Sequence, residues 1–361
     1  EVLKDHPTMI FFTAEDHGES PLFAAFPSQQ NPIEGEATKT PLHVHADDLC
    51  FAGGRLFFTR MSAVAPNEIW KYELRDELAI RFGEPWEAVT HMNDALLSQI
   101  DMQSLESFTF KGANNDDVQG FMIKPPGFDP NKKYPLKFLL HGGPQGAWGN
   151  SWTYRWNAEL FAATGNYVVV MINFHGSTGY GQKFTDSISG DWGGKPYVDL
   201  MRGLDYLEKT YPLIDKNREA ALGASYGGYM ANWLLGHTDR FKCIVSHDGM
   251  FNAESAYGTT EELWFANWEF GGPPWKKRDA YRKWSPHEYA QNFKTPTLVV
   301  HGQNDYRLDV SQGFDLFTTL QVLKVPSKML YFPDEGHWVL KPQNSQLWYK
   351  TVNDWVDQWC K

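Results

Sequence analysis

A serine flanked by glycines is the residue of this chain best placed for covalent chemistry. Ser225 lies within Gly-Ala-Ser-Tyr-Gly at 223–227, after the apolar run 219–222 and before a helical pattern over 228–235. This strand–turn–helix context is typical of a nucleophile elbow, in which a tight turn lifts the serine hydroxyl out of a sheet. Because a serine hydroxyl is a weak nucleophile at neutral pH, it needs an adjacent base and a group that orients that base.

A carboxylate and a histidine stand at the ends of two later apolar runs. Residues 297–302 lead into a turn that carries Asp305, and residues 328–333 lead into a turn that carries His337. The order serine, acid, histidine is the order found in α/β-hydrolases. Open α/β sheets place their sites at the carboxyl ends of strands, so we expect the three side chains to meet at one edge. The alternative is that Ser225 lies in an ordinary turn and His337 is a surface histidine. That alternative does not explain why Ser225, Asp305 and His337 all follow predicted strands.

A glycine-containing loop follows an earlier strand pattern over 136–140. The loop reads His141-Gly142-Gly143-Pro144. In acyl transfer, one donor to the oxyanion comes from such a loop and the other from the residue after the nucleophile. We therefore expect the backbone N–H groups of Gly143 and Tyr226 to form an oxyanion hole with His141 beside them. A simple Gly-Pro turn is the alternative for the loop alone.

Composition narrows the classes of partner. The formal net charge of −11 argues against nucleic acid, which requires clustered lysine and arginine. No apolar run reaches the roughly 18 residues of a membrane span. Neither a dinucleotide glycine motif nor a phosphate loop is present, so no cofactor is expected. His287-Glu288-Tyr289-Ala290-Gln291 lacks the second histidine of a zinc motif, and no metal is expected.

The larger part of the chain alternates strand and helix patterns. We expect an α/β-hydrolase catalytic domain over 111–361, built on a doubly wound, mostly parallel sheet. Helices are predicted over 198–210, 310–323 and 343–359. The predicted strands are 136–140, 167–174, 220–224, 243–247, 297–301 and 328–332.

The first 110 residues have a different pattern. Short β-like runs are separated by turn residues, without a helical pattern, at 9–13, 22–26, 55–59 and 68–72. This spacing suits propeller blades of four strands, but at most about two blades fit, whereas a closed propeller has roughly four to eight. We expect a partial β-propeller over 1–110. Its missing blades are expected in the same longer polypeptide or in a separate chain.

Several motifs together resemble the prolyl oligopeptidase family of serine peptidases. They are 141–144, 173–181, 223–230 and 332–337. Three further segments, 190–196, 247–252 and 340–344, are most similar to its dipeptidyl-peptidase V and acylaminoacyl-peptidase branch. Two departures stand out: His175 replaces a common arginine, and Leu308-Asp309 replaces a common Val-Pro.

The resemblance implies roles for individual residues. Ser225 would be the nucleophile, His337 the base and Asp305 the group that orients it. Arg307, two residues after the acid, would hold a substrate carbonyl, which the forked donors of a guanidinium suit. The alternative for Arg307 is a solvated loop charge. The pocket for the residue before the scissile bond would include Tyr226 and, as further candidates, Met250, Phe251, Trp264 and Phe265.

The expected function is hydrolysis of short peptides through an acyl-enzyme, with release of N-terminal dipeptides. Acylaminoacyl-peptidase and internal oligopeptidase activities of the same family remain alternatives. A carboxylesterase, or a non-catalytic protein that uses the fold for binding, would belong to another class. A homodimer is left open, and the family resemblance favours a periplasmic or secreted location over a cytoplasmic one.

Overall fold

The structure is a computed structural model that describes residues 10–25, 37–40, 44–73 and 86–361. It divides into two compact units. The first contains the described residues up to Leu105 together with 148–154, and the second contains 106–147 and 155–361. Parts of the predicted propeller region, namely 1–9, 26–36, 41–43 and 74–85, lie outside the described residues. Each unit is described by itself below.

The first unit consists of two antiparallel sheets around a small apolar core. The three-stranded sheet has the order β1-β2-β3 and the four-stranded sheet the order β4-β5-β6-β7. Buried aromatic residues of this core include Phe11, Phe58 and Tyr72. Its strands are β1 (Ile10–Thr13), β2 (Leu22–Ala25), β3 (Ala37–Lys39), β4 (His45–Ala52), β5 (Arg55–Ser62), β6 (Ala65–Glu73) and β7 (Trp86–Ala88).

The four β runs expected in this region are found as strands within its described part. Met9 and Phe26, at the ends of two predicted runs, lie outside the described residues. One expectation was wrong: a helix of four residues, α1 (Asp94–Leu97), is present where no helical pattern was seen. A single turn is too short to show the apolar repeat by which helices are predicted.

The second unit is built on an eight-stranded sheet in the order β15-β14-β13-β12-β10-β11-β9-β8. The six strands from β10 onward are parallel, as predicted, and β8 and β9 extend the sheet with antiparallel pairs. The strands are β8 (Glu106–Lys111), β9 (Asp117–Ile123), β10 (Tyr134–Leu140), β11 (Val168–Asn173), β12 (Ile214–Ala224), β13 (Cys243–His247), β14 (Thr297–Gly302) and β15 (Ser327–Phe332).

Helices alternate with these strands because each parallel pair needs a crossover connection. The predicted helices over 198–210, 310–323 and 343–359 are present with slightly different ends. The helices are α2 (Ala158–Ala163), α3 (Gln182–Asp186), α4 (Lys195–Thr210), α5 (Tyr226–His237), α6 (Ala253–Tyr257), α7 (Leu263–Glu269), α8 (Pro274–Lys283), α9 (Ser311–Val322) and α10 (Pro342–Cys360). Within the described ranges, none of the helices is both long and apolar enough to cross a bilayer.

Glycines allow an unusually close turn between β12 and α5. A Cβ atom added at Gly227 would lie 2.1 Å from the carbonyl oxygen of Leu140, at the end of β10. One added at Gly223 would lie 2.2 Å from the carbonyl oxygen of Gly227 itself. Between them, Ser225 has φ 59° and ψ −120°, a conformation that residues with a side chain rarely adopt. The turn therefore depends on glycine at both flanks.

We predict that Gly227→Ala destabilises the second unit and removes activity. The added methyl group would overlap a backbone oxygen, which cannot rotate away, and overpacking of this kind costs about 1–3 kcal/mol. Chemical denaturation followed by tryptophan fluorescence measures the change. Gly258→Ala is the control, because the nearest atom to its added Cβ is 3.8 Å away and its φ is −79°. Equal stability of the two variants would contradict the steric explanation.

Candidate active site

Ser225 lies at the carboxyl end of β12 and at the start of α5. Its backbone N–H donates to the carbonyl of His247 at 3.0 Å, and its own carbonyl accepts from the Tyr229 N–H at 2.8 Å. These bonds fix the strained turn between the two elements. The N–H of Tyr226, in the first turn of α5, has no carbonyl partner within the helix. It is therefore available to a ligand, at the positive end of the helix dipole.

Asp305 and His337 form a hydrogen-bonded pair at the ends of β14 and β15. The Nδ1–Oδ2 distance between them is 2.7 Å, and the Asp305 carboxylate is fully buried. The other oxygen of Asp305 accepts from the backbone N–H groups of Arg307 and Leu308, each at 2.9 Å. The turn after β14 thus supplies the donors that hold its own carboxylate in place.

Hydrogen bonds keep the Asp305 carboxylate ionised despite its burial. Burial alone would raise the pKa of Asp305, but interactions with the side chains of His301 and His337 and a backbone N–H outweigh it. The pKa of this carboxyl is therefore held well below its usual range. The charged Asp305 carboxylate lies beside His337 and stabilises a positive charge on its ring. If His337 accepts a proton as a base, the imidazolium that forms is therefore favoured.

The loop carrying His337 is closed by a buried glutamate. Glu335 accepts from the backbone N–H groups of Leu340 and Lys341 at 3.2 and 3.0 Å and from the Asn344 amide at 2.7 Å. The loop is also tied to the end of β14, because the Asn304 N–H donates to the Glu335 carbonyl at 2.9 Å. These bonds position the imidazole from both sides of the turn.

The structure places all three predicted residues at one edge of the sheet but does not bond the serine to the histidine. Both residues are described, and no hydrogen bond joins Ser225 Oγ to His337. Such contacts are often long in substrate-free sites and tighten once substrate is bound.

The glycine loop after β10 approaches Ser225 closely. A Cβ added at Gly142 would lie 3.3 Å from the Ser225 Cβ, and Gly143 has φ +116°. His141 lies below this loop: its Nε2 is 2.9 Å from Ser177 Oγ, and its ring stacks on Phe174 at 4.1 Å. Burial lowers the pKa of His141 to about 4, so the ring is neutral. His141 is placed to support the loop, while Gly143 lines the cavity.

A cavity opens beside Ser225. Its walls are mostly aromatic and apolar, which suits a large hydrophobic group. Two charged side chains, Glu262 and Arg307, also line it. The aromatic members of the wall are Trp192, Tyr226, Tyr229, Tyr257, Phe265, Phe270 and Tyr281.

The pocket candidates from the sequence fall into two groups. Tyr226, Met250 and Phe265 line the cavity. Phe251 is not in its wall, because it is buried against Phe293 and His287 in the core. Trp264 is also outside it and remains 69% exposed. Neighbouring residues in sequence, such as Trp264 and Phe265, point their side chains in different directions, and hydrophobicity alone does not reveal which of them faces the cavity.

Sequence reasoning missed several wall residues. Trp192 donates from its indole to Glu269 at 2.7 Å, and the Tyr226 hydroxyl donates to the Trp192 carbonyl at 2.5 Å. The pKa of Tyr226 is raised well above its ordinary value by burial, so this hydroxyl remains a donor. Trp192 lies in the motif 190–196, which carried part of the family resemblance. That motif is the feature of the sequence that could have indicated Trp192 as a residue of the cavity wall.

Arg307 is at the mouth of the cavity among acidic and aromatic side chains. Its Nε lies 3.1 Å from Glu262, and its terminal nitrogen lies 3.6 Å from Glu261. The guanidinium also lies 5.7 Å from the centre of the Trp338 ring. These contacts hold the side chain at the cavity and contrast with a freely solvated loop charge.

His175, one of the two departures noted above, lies outside the cavity wall. Its backbone N–H donates to Asp199 at 2.8 Å, and its ring contacts the same carboxylate at 2.6 Å. Burial lowers the pKa of His175, but Asp199 and Asp116 raise it overall. This cluster joins the end of β11 to α4 and to the turn before β9, so His175 contributes to packing between these elements.

Among the described residues, the side chains that could together hold a metal ion are Asp248, Asp305 and His337. Their ligand atoms lie within 4.8 Å of one another. Two of the three already form the acid–histidine pair described above. A metal would have to compete with that hydrogen bond.

The fold, the elbow and the acid–histidine pair define an α/β hydrolase. The model of the prolyl oligopeptidase family matches residues 152–361, and the chain belongs to that family. Dipeptidyl-peptidase 5 of Schizosaccharomyces pombe is 38% identical over 100% of this chain and 51% of its own length. The Porphyromonas gingivalis protein of that name is 44% identical over 76% of this chain and 41% of its own. The chain thus spans about half the length of these relatives.

A solved structure shows the same likeness. Acylaminoacyl peptidase of Pyrococcus horikoshii superposes with a TM-score of 0.86 at 25% identity, covering 98% of this chain and 55% of that one. The superposition extends over nearly the whole of this chain.

We predict that Ala256→Leu narrows the cavity and selects against large side chains. Ala256 is buried in its wall, so the added atoms would occupy space otherwise filled by ligand. Activity on substrates with an aromatic residue before the scissile bond should fall roughly 10–100-fold relative to alanine there. Paired chromogenic substrates measure the ratio. The exposed Ala95→Leu is the control, and an unchanged ratio in Ala256→Leu would exclude this cavity as the specificity pocket.

Proposed function

We propose that this chain is the catalytic part of a serine peptidase that cleaves short peptides through an acyl-enzyme and releases N-terminal dipeptides. The observation that carries the proposal is the 2.7 Å bond between buried Asp305 and His337, at the same sheet edge as the strained Ser225. Carboxylate, imidazole and a serine raised on a nucleophile elbow form the group that activates a hydroxyl for acyl transfer.

The proposed reaction begins with attack by Ser225 Oγ on the substrate carbonyl. His337 Nε2 accepts the serine proton, while Asp305 holds the ring through Nδ1 and stabilises its positive charge. The N–H groups of Tyr226 and Gly143 donate to the oxyanion of the tetrahedral intermediate. His337 then gives the proton to the leaving amine. Water, activated by the same histidine, releases the acyl group.

Charges at the cavity mouth support peptide substrates with a free N-terminus. Arg307 would donate to the carbonyl of the N-terminal residue. Glu261 and Glu262 together carry two negative charges against the single positive charge of Arg307. The remaining negative charge favours an α-ammonium group close to that carbonyl. The dipeptidyl-peptidase names of the relatives agree with this specificity.

Removal of an acylated terminal residue is the second candidate. It rests on the backbone likeness to the acylaminoacyl peptidase described above. An N-acyl group carries no positive charge, so a preference for blocked over free N-termini would favour this candidate.

The first unit supports a propeller assignment over 1–110, preceding the catalytic domain proposed over 111–361. Strands β4 to β7 form one antiparallel sheet of four strands, which is the size of a propeller blade. In this proposal the blade belongs to a structure that limits access to the site by substrate size.

We predict that Ser225→Ala lowers kcat by roughly 10⁴–10⁶, because the three residues act as a unit. A dipeptidyl chromogenic substrate measures turnover, and a fluorophosphonate probe followed by intact mass reports covalent labelling of the wild type alone. Ser255→Ala is the control, since that exposed serine lies on α6. Wild-type turnover by folded Ser225→Ala protein would refute the assignment.

We predict that Arg307→Ala impairs peptide cleavage more than ester cleavage. A hydrogen bond from a charged group contributes about 1.5–3 kcal/mol, so kcat/KM for peptides should fall roughly 10–100-fold. A small acetyl ester lacks the carbonyl that Arg307 would hold and should be little affected. Arg278→Ala removes an exposed arginine and is the control. An equal loss on both substrates would show that Arg307 does not bind the peptide.

A further inference from the structure

A second carboxylate occupies the same sheet edge as the proposed acid. Asp248 directly follows β13, which lies between β12 and β14 in the sheet. Ser225 follows β12, and Asp305 lies just beyond β14. Asp248 therefore lies between the nucleophile strand and the acid strand. Its backbone N–H donates to the Val300 carbonyl at 3.0 Å, and its φ of 50° turns the chain away from β13.

The Asp248 side chain is buried without conventional hydrogen bonds. It is 1% exposed, and neither carboxylate oxygen accepts a hydrogen bond from any residue within the described ranges. Buried carboxylates are normally hydrogen-bonded, because desolvation of the charge is otherwise uncompensated. Its close neighbours are two imidazoles: His247 Nε2 at 3.0 Å and His337 Nδ1 at 3.9 Å. The geometry of Asp248 thus points to an electrostatic role.

We propose that Asp248 is a second positioning carboxylate, which stabilises the His337 imidazolium together with Asp305. The proposal rests on the catalytic function proposed above. When His337 accepts the proton of Ser225, a positive charge develops on the ring. Asp305 receives the Nδ1–H bond, and Asp248 acts on the same nitrogen through space from 3.9 Å. Charge attraction at this distance is substantial where water is excluded.

Other titratable groups interact with the two carboxylates and so modify their effect on the His337 imidazole. From β14, His301 lies 3.5 Å from the Asp305 carboxylate. Burial lowers the pKa of His301, but the contact with Asp305 and the charge of Asp248 outweigh burial, and the pKa of His301 is raised. From the segment before α2, Arg155 feels the charge of Asp248, and burial lowers the pKa of that guanidinium. The positive charge of Arg155 partly offsets the negative charge of Asp248. Asp248 should therefore stabilise the His337 imidazolium less than Asp305 does.

The test is the pH profile of kcat/KM in Asp248→Asn. Asparagine keeps the shape, tolerates the positive φ and removes the charge. The acid limb should move to lower pH by roughly 0.5–1 unit, because the protonated base loses a stabilising charge. The plateau, divided by the active-site concentration from fluorophosphonate titration, should fall roughly 10-fold, corresponding to loss of imidazolium stabilisation. A lower plateau with an unmoved limb would overturn the proposal in favour of a structural role.

A second charge-removing variant and a double variant make the test independent of folding defects. Asp248→Ser removes the charge with a smaller side chain and should move the limb in the same direction. In the Asp305→Asn background, Asp248 is the remaining carboxylate beside His337, so Asp248→Asn should reduce activity more than it does in the wild type. If Asp248→Asn reduced activity by the same factor in the wild type and in the Asp305→Asn background, the proposal would also be contradicted.

Two controls separate this inference from the proposed function. Asp334→Asn removes an exposed carboxylate from the loop that carries His337, where solvent screens the charge, and should leave the limb in place. If Ser225→Ala retains activity, the proposed function itself fails. If Ser225→Ala is inactive while both Asp248 variants keep the wild-type limb, only the role of Asp248 fails.

Discussion

The site depends on one close backbone contact, that of Gly227 with the carbonyl of Leu140. A Cβ atom at residue 227 would lie 2.1 Å from the carbonyl oxygen of Leu140. Because glycine has no Cβ, the start of α5 can approach the end of β10. This approach brings the glycine loop after β10 against Ser225, whose backbone conformation is strained. The proposed nucleophile and the proposed oxyanion donors are thus positioned by the same packing constraint. A larger residue at 227 would disturb both at once.

Electrostatics at the carboxyl edge follow from burial combined with local donors. Asp305 has little solvent to stabilise it, so its charge relies on the imidazoles and on the N–H groups of its own turn. Asp248, one strand away, is buried as deeply but lacks such donors. The two carboxylates therefore play unequal parts around His337. One has directed hydrogen bonds, and the other can act only through its charge.

Substrate selection would be divided between two kinds of surface. The aromatic wall excludes water from an apolar side chain, whereas Arg307 and its two glutamates present charge at the mouth. An apolar wall by itself would suit an ester as well as a peptide. In the proposed function the charged mouth would favour a peptide end, because a carbonyl and an ammonium group lie close together only there in a short peptide.

The sequence by itself determined the strands of the parallel sheet, the three residues at its edge and the need for glycine around Ser225. Each depends on local pattern: apolar runs, strand-end positions and a short motif. Only the tertiary structure decided which aromatic residues line the cavity. Trp192 and Tyr281 come from distant segments, while Phe251 faces the core and Trp264 faces solvent. Likewise, the distance from Asp248 to His337 arises from strand order, which brings together residues 89 positions apart (337 − 248) and which no local pattern encodes.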